Sequence, residues 1–197
     1  MKILKVLNNN VVIVKKENGN EVIMMGSGLA FGKKRGDFVE KEKIEKIFTQ
    51  TQEDKSLYKK LAETIERIPN EYIRITEKIV RYAEEKLEIK LNESIFISLS
   101  DHLYFAVKRF KEEQSLKNIL LWEIKSSYKD EYRVGEEALK IIQDEIDVLL
   151  PIDEAGFIAL HIVNAELNED MMNVMIITKI IKEITSIVKY HFKVELE

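Results

Sequence analysis

Residues 1–49 read MKILKVLNNNVVIVKKENGNEVIMMGSGLAFGKKRGDFVEKEKIEKIFT, and their spacing decides the fold of that end of the chain. A short apolar run at residues 3–7, broken by Lys5, gives way to Asn8-Asn9-Asn10 and then to a second run at residues 11–14. Asparagine clusters supply turn chemistry between such runs, so two strands joined by a hairpin are expected. Asn18-Gly19-Asn20 marks a second turn, because an Asn-Gly pair accepts positive φ, and residues 21–25 read as a third strand. Residues 44–49 supply a fourth. Gly19, Gly26, Gly28, Gly32 and Gly36 are five of the chain's seven glycines, so turns and close backbone approaches concentrate here. Turn geometry alone accounts for Asn8 and Gly19.

Beyond residue 50 the apolar period changes from two to three or four, the signature of amphipathic helices, and the remainder reads as all-helical. Thr51 with Asp54 resembles a capping box opening a helix that Pro69 ends. A second helix is expected over residues 71–86, with Ile75, Ile79, Tyr82 and Ala83 facing inward, and a third, capped by Asn92, runs to residue 111. Further helices are expected over residues 115–132, 135–144, 153–166 and 174–191, with Pro151 just ahead of the third of these. The fold class is therefore multidomain: a small antiparallel all-β head followed by an all-α helical bundle.

Charge divides the chain at the same place. The first 49 residues carry ten Lys and Arg against six acids, a net of +4, and since the whole chain is −4 the remainder carries −8. A basic segment joined to an acidic one points to a nucleic-acid-binding module attached to a module with another task. Forty-nine residues are marginal for an independent core, and self-association is expected to cover the apolar strand face. The absence of cysteine removes disulfides, thiolate zinc sites and thiol catalysis. With no signal-peptide core and no uncharged apolar stretch of spanning length, the chain reads as cytoplasmic, without membrane insertion.

Gly26-Ser27-Gly28 invites comparison with a phosphate-binding loop, but the third glycine of a dinucleotide fingerprint would fall at Phe31 and no helix opens there. A sharp bend exposing backbone amides fits better, followed by Phe31 as a stacking face and Lys33-Lys34-Arg35 as phosphate contacts. In the helical part His102 lies one turn from Ser98, Leu99, Phe105 and Ala106, and His161 one turn from Phe157, Ile158, Asn164 and Ala165. Each sits at the edge of an apolar stripe, and from position alone a hydrogen-bonded structural histidine accounts for it.

The run Lys2-Ile3, Lys5-Val6, Asn8-Asn9-Asn10, Met25-Gly26, Gly28-Leu29-Ala30-Phe31, Lys33-Lys34, Ile44-Glu45-Lys46 and Phe48 resembles the RNA-binding domain of the BglG/SacY/LicT family of transcriptional antiterminators. The helical part, with Leu99-Ser100-Asp101-His102 and the long motif from Glu154 to Glu166, resembles the first phosphotransferase-regulated domain (PRD) of that family. The resemblance implies an RNA-binding domain at residues 1–50, a linker and first helix at 51–65, a first PRD at 66–170 and the start of a second at 171–197. A chain truncated inside that second domain is expected. RNA contacts are implied at Lys5, Asn10, Gly26, Ser27, Gly28 and Phe31, with Lys33 and Lys34 beside them. Ser27 stands where relatives can carry Arg, which puts one charged contact in doubt. Histidine phosphorylation is implied at His102 and His161, with Asp101 as a neighbour that orients a ring or repels phosphate.

The resemblance further implies a homodimer that binds an RNA hairpin in nascent mRNA and keeps an overlapping terminator from forming. Its partners would be the sugar-specific permease subunit of the phosphotransferase system (EIIB) as phosphate donor, and the phosphocarrier protein acting through the missing second PRD. Aryl-β-glucosides or β-glucans are the first expectation for the inducer. No cofactor and no metal are expected, and the protein is read as a phosphate acceptor without turnover of its own. Two alternatives stand beside this: a PRD-containing DNA-binding regulator, and an acid-base enzyme using Asp101, His102 and His161, with Glu154 or Glu166.

Overall fold

The computed structural model describes residues 1–16, 20–49, 55–169 and 171–193. The expected turn at Asn18 and Gly19 and the capping box at Thr51 and Asp54 lie outside them. The chain forms two compact units, Met1–Ile73 and Arg74–Glu197.

In the first unit, β1 (Lys2–Asn8), β2 (Val11–Lys15), β3 (Glu21–Met25) and β4 (Lys46–Thr49) form an antiparallel sheet in the order β1-β2-β3-β4. The β1–β2 register slips twice, between Ile3 and Lys5 and between Val6 and Asn8, so β1 carries the bulges that twist a sheet edge. Ile3, Val12, Val14, Val22 and Met24 alternate onto one face, where Leu29, Ala30 and Val39 of the following loop cover them. The opposite set, Val11, Ile13, Ile23, Met25 and Phe48, is buried too. Helix α1 (Lys55–Arg67) packs on β1 and contributes buried Tyr58, Leu61 and Ile65. The single chain thus buries both faces of the sheet, and the expected second copy is not needed to cover a strand face. The stretch set aside as linker and first helix belongs, where described, to this unit.

Helix α2 (Asn70–Leu87) runs across the boundary into the second unit, which also holds α3 (Ile95–Lys111), α4 (Leu121–Ser127), α5 (Lys129–Ile146), α6 (Asp153–Leu167) and α7 (Met171–Phe192). Helix α6 is its centre. Its motif is apolar on nearly every side, as a helix surrounded by others must be, and it packs against α3, α4, α5 and α7.

Three helix boundaries differ from expectation for visible reasons. The helix expected over residues 115–132 is only α4, beginning at Leu121. Asn118 Oδ1 accepts the Leu120 N–H at 3.0 Å and Asp153 Oδ1 accepts the Asn118 N–H at 2.7 Å, so side chains take donors that a helix would use. Gly135 does not open a helix but lies inside α5, which starts at Lys129. A Cβ there would sit 2.2 Å from the Ala155 carbonyl oxygen, so glycine is the residue that lets α5 and α6 touch. Asn92 acts just ahead of α3 rather than as its cap, with Oδ1 accepting the Ser94 N–H at 2.8 Å.

Candidate functional site

The loop after β3 folds back on the β1–β2 hairpin and gathers the polar residues there. Gly26 N–H donates to the Asn10 carbonyl at 2.9 Å and Ala30 N–H to the Asn9 carbonyl at 2.9 Å. Asn10 Oδ1 accepts the Gly28 N–H at 2.8 Å. Asn10 is therefore both a candidate base contact and the brace of this loop, its amide nitrogen being the group suited to a base edge. Gly28 takes φ +65°, a left-handed conformation that favours glycine, and a Cβ on Gly26 would lie 1.7 Å from the Lys43 carbonyl oxygen. Both glycines thus have a reason in the fold. Ser27 is exposed, with its N–H donating to Glu45 Oε1 at 3.1 Å.

Phe31 follows with 75% of its surface exposed, an unusual position for phenylalanine and a suitable one for a stacking face. The lysines divide by engagement. Lys33 Nζ is 2.7 Å from Glu40 and donates to the Phe38 carbonyl at 3.1 Å, while Lys34 is exposed. Glu40, held between Lys33 and Lys43, has its carboxyl lowered to about 2 by hydrogen bonds from both. Lys5 is exposed on β1 and ion-paired with Glu66 of α1. The structure therefore brings Asn10, Gly26, Ser27, Gly28 and Phe31 together at one end of the sheet, places Lys5 along β1, and uses Lys33 as an internal tie.

In the second unit α3 and α6 bring the two histidines side by side, their rings tilted by 45°. The rings of His102 and His161 have centroids 4.8 Å apart, and Phe157 packs 5.9 Å from His102. Glu154, only 2% exposed in its side chain, puts Oε2 2.9 Å from His102 Nε2 and Oε1 3.7 Å from Arg109 Nη2. The histidine approach lies off the hydrogen-bond axis, so neither of its atoms is satisfied by it, and Arg109 Nε is also buried without a hydrogen-bond partner. His161 Nδ1 is buried and unpartnered as well. Burial, reinforced by His102, pushes the His161 imidazole well below 6.5, so that it stays neutral and its nitrogen lone pair stays available.

Arg109 was not expected beside the histidine pair, and Glu154 was grouped with it only in the acid-base alternative. The signal was present: Arg109 lies seven residues after His102 and His161 seven after Glu154, two helical turns that return each to one face. Asp101, beside His102 in sequence, points about 100° away round the helix. The carboxylate that meets His102 is Glu154.

Residues 1–57 match the CAT RNA binding domain, and residues 77–165 match the PRD domain. The transcription antiterminator LicT of Bacillus subtilis is 53% identical over 195 residues, covering 99% of this chain and 70% of that protein. This chain belongs to the family of CAT-PRD transcription antiterminators. The beta-glucoside operon antiterminator of Dickeya chrysanthemi, another member, is 46% identical over 195 residues, covering 99% of this chain and 68% of its own. The crystal structure of GlcT CAT-PRDI superimposes with a TM-score of 0.74 at 34% identity, covering 84% of this chain and 97% of that one. An antiterminator of this kind is regulatory rather than enzymatic, which removes the acid-base enzyme reading of Asp101, His102 and His161. Its head is an RNA-binding domain, which removes the DNA-binding alternative. Among the described residues no helix is long and apolar enough to cross a membrane.

Proposed function

We propose that this antiterminator acts as a dimer on an RNA hairpin, reading it through Asn10, Ser27, Gly28 and Phe31, with Lys5 and Lys34 holding phosphates, and that phosphorylation of His102 or His161 by the sugar-specific permease subunit switches it off. The observation that carries the regulatory half is the adjacent histidine pair beside buried Glu154. A phosphoryl group brings about −1.5 to −2 charge. Placed on either nitrogen of His102 it would lie within about 6 Å of the Glu154 carboxylate, where each unit of charge costs about 3 kcal/mol at an effective dielectric of ~20. Glu154 must then leave, or Arg109 must turn from it to the phosphate, and either movement disturbs α6 at the centre of the bundle. The neutral imidazole of His161 is suited to accept a phosphoryl group from a donor. Control by the phosphocarrier protein belongs to a second PRD, and an aryl-β-glucoside or β-glucan inducer follows the beta-glucoside operon relative. The site of action is the cytoplasm, where nascent mRNA and the permease's inner domain meet.

The test is a titration of the chain into a labelled hairpin with two internal loops, at two salt concentrations, with duplex DNA as control. Saturation at two protomers per hairpin is expected, and salt should weaken it because lysine contacts release counterions. Asn10→Asp is the informative variant, since it keeps the oxygen that accepts from Gly28 while replacing the amide donor. Incubation with the phosphorylated permease subunit should label the chain and weaken RNA binding, and His102→Ala with His161→Ala should abolish both effects. Preference for duplex DNA, or inhibition that survives the double substitution, refutes the corresponding half.

A further inference from the structure

Phe38 stands outside every role assigned so far. It lies on the loop that closes over the sheet, its ring is 64% exposed, and Lys2 Nζ lies 6.0 Å from the ring centroid. The backbone beneath it is not loose. Phe38 forms an isolated antiparallel bridge with Lys2, Ile3 N–H donates to the Asp37 carbonyl at 2.9 Å, and Val39 N–H donates to the Met1 carbonyl at 3.1 Å. The ring is thus presented to solvent from a fixed support, as a platform for stacking should be.

Its surroundings favour an anionic partner. Lys34 and Arg35 are exposed on the same loop, while the acids nearest in sequence are engaged. Asp37 Oδ2 accepts the Lys34 N–H at 2.8 Å, and Glu40 sits between Lys33 and Lys43 at 2.7 and 2.8 Å. Position also matters. Phe38 pairs with the first residue of β1, whereas Asn9 and Asn10, which hold the Gly26 loop, follow its last. The two aromatic surfaces are therefore separated by the length of a seven-residue strand, about 20 Å at ~3.3 Å per residue, with exposed Lys5 along the way.

We propose that Phe38, with Lys2 beside it, is a second stacking platform for an unpaired nucleobase of the RNA, at the opposite end of β1 from the Asn10 and Phe31 surface. The inference rests on the RNA-binding reading and extends its footprint from one end of the sheet along its edge. Aromatic stacking tolerates any base, while the lysine adds attraction to phosphate and to the ring face.

The experiment titrates the full chain and its Phe38→Ala, Phe38→Trp, Lys2→Ala and Phe31→Ala variants into the two-loop hairpin, with 2-aminopurine placed in turn at each unpaired position. Phe38→Ala should weaken binding about five- to a hundredfold with its salt dependence unchanged, because it removes stacking and no charge. Phe38→Trp should retain affinity, and Lys2→Ala should reduce the salt slope by about one phosphate. One 2-aminopurine position should be quenched by the wild type and released in Phe38→Ala alone. Phe38→Ala binding as the wild type does, while Phe31→Ala fails, overturns the second platform and leaves the RNA reading standing. A change of oligomeric state in Phe38→Ala without loss of RNA affinity reassigns the ring to protein contact and overturns it too. No saturable binding by the wild type overturns the RNA reading, and this inference with it.

Discussion

The two units place their proposed functional residues in opposite settings. In the first, Phe31 is 75% exposed and Ser27, Lys5 and Lys34 lie at the surface, so the face is finished before any partner arrives. In the second, Glu154 is 2% exposed and His161 Nδ1 is out of solvent without a partner, so the site holds polar groups at a cost. An RNA surface must be solvated and rigid to be read. A switch gains from stored electrostatic tension, since a modification can then move a helix. The difference teaches that an exposed aromatic ring beside exposed cations marks the proposed recognition end here, and a buried cluster of ionisable groups marks the proposed regulatory end.

The severest way to break this comparison is to strike the glycine that each unit depends on. In Gly26→Ala the new Cβ would meet the Lys43 carbonyl oxygen at 1.7 Å, and in Gly135→Ala it would meet the Ala155 carbonyl oxygen at 2.2 Å. Backbone cannot yield as a flexible side chain can, so each should cost its own unit at least ~3 kcal/mol. Hydrogen exchange followed by mass spectrometry separates the units. Gly26→Ala should raise exchange in β2 and β3 and leave α5 and α6 protected, and Gly135→Ala should do the reverse. Matching losses in both units from either variant would show that they do not keep separate stabilities.

Glu154→Ala comes next, at about 2–3 kcal/mol by denaturant unfolding. Removing one member of a buried charged cluster leaves Arg109 and His102 without it, and partial exposure of the arginine moderates the loss. Glu154→Gln keeps the volume and sharpens the comparison: RNA affinity of the unphosphorylated protein should be unchanged, while the drop on phosphorylation should shrink. If Glu154→Gln responds to phosphate as the wild type does, the carboxylate is not what the phosphate repels.

Legibility followed the same division. The four strands were readable because alternation and Asn-rich turns lie close in sequence, and β3 spans residues 21–25 as expected. The residues proposed for recognition are equally local: Asn10 and Gly28 are joined by one hydrogen bond across adjacent hairpin ends. Phe38 escaped notice because nothing in a sequence tells whether an isolated phenylalanine points inward or out. The bundle was readable as helices but not at its joints, since the loop before α4 depends on Asp153, which lies 35 residues after Asn118. His102 and His161 could be paired only through resemblance, and the Glu154 and Arg109 contacts needed α3 and α6 to be placed side by side.

Acid should separate the units by pH. Sign follows from His161, whose folded pKa lies well below its ordinary 6.5. Between the two values the unfolded chain binds a proton that the folded chain refuses, so stability falls as pH falls below 6.5, by up to about 1.4 kcal/mol per unit. Glu40, lowered from 4.5 to about 2, contributes stability to the first unit that is lost only as pH falls through that lower range. Exchange measured at pH 7.5, 6.5 and 5.5 should therefore loosen α6 and leave the sheet as it was. His161→Gln should flatten the response, and an unchanged slope would place the acid sensitivity elsewhere.

The smallest effect tests whether the first unit's ion pairs are structural at all. Lys5 and Glu66 join β1 to α1 with side chains 58% and 42% exposed, and a pair so open to water contributes about 0–1 kcal/mol. Glu66→Ala should therefore change stability little. It should nonetheless free Lys5 from its carboxylate contact with Glu66 and make the ammonium more available to a phosphate. RNA affinity at low salt should rise slightly, with a steeper salt slope, whereas Lys5→Ala should make the slope shallower by about one phosphate. Opposite signs from the two partners of one ion pair distinguish a recognition cation held in reserve from a strut. Equal losses of stability from both, with RNA affinity unmoved, would make the pair a strut and return Lys5 to the scaffold.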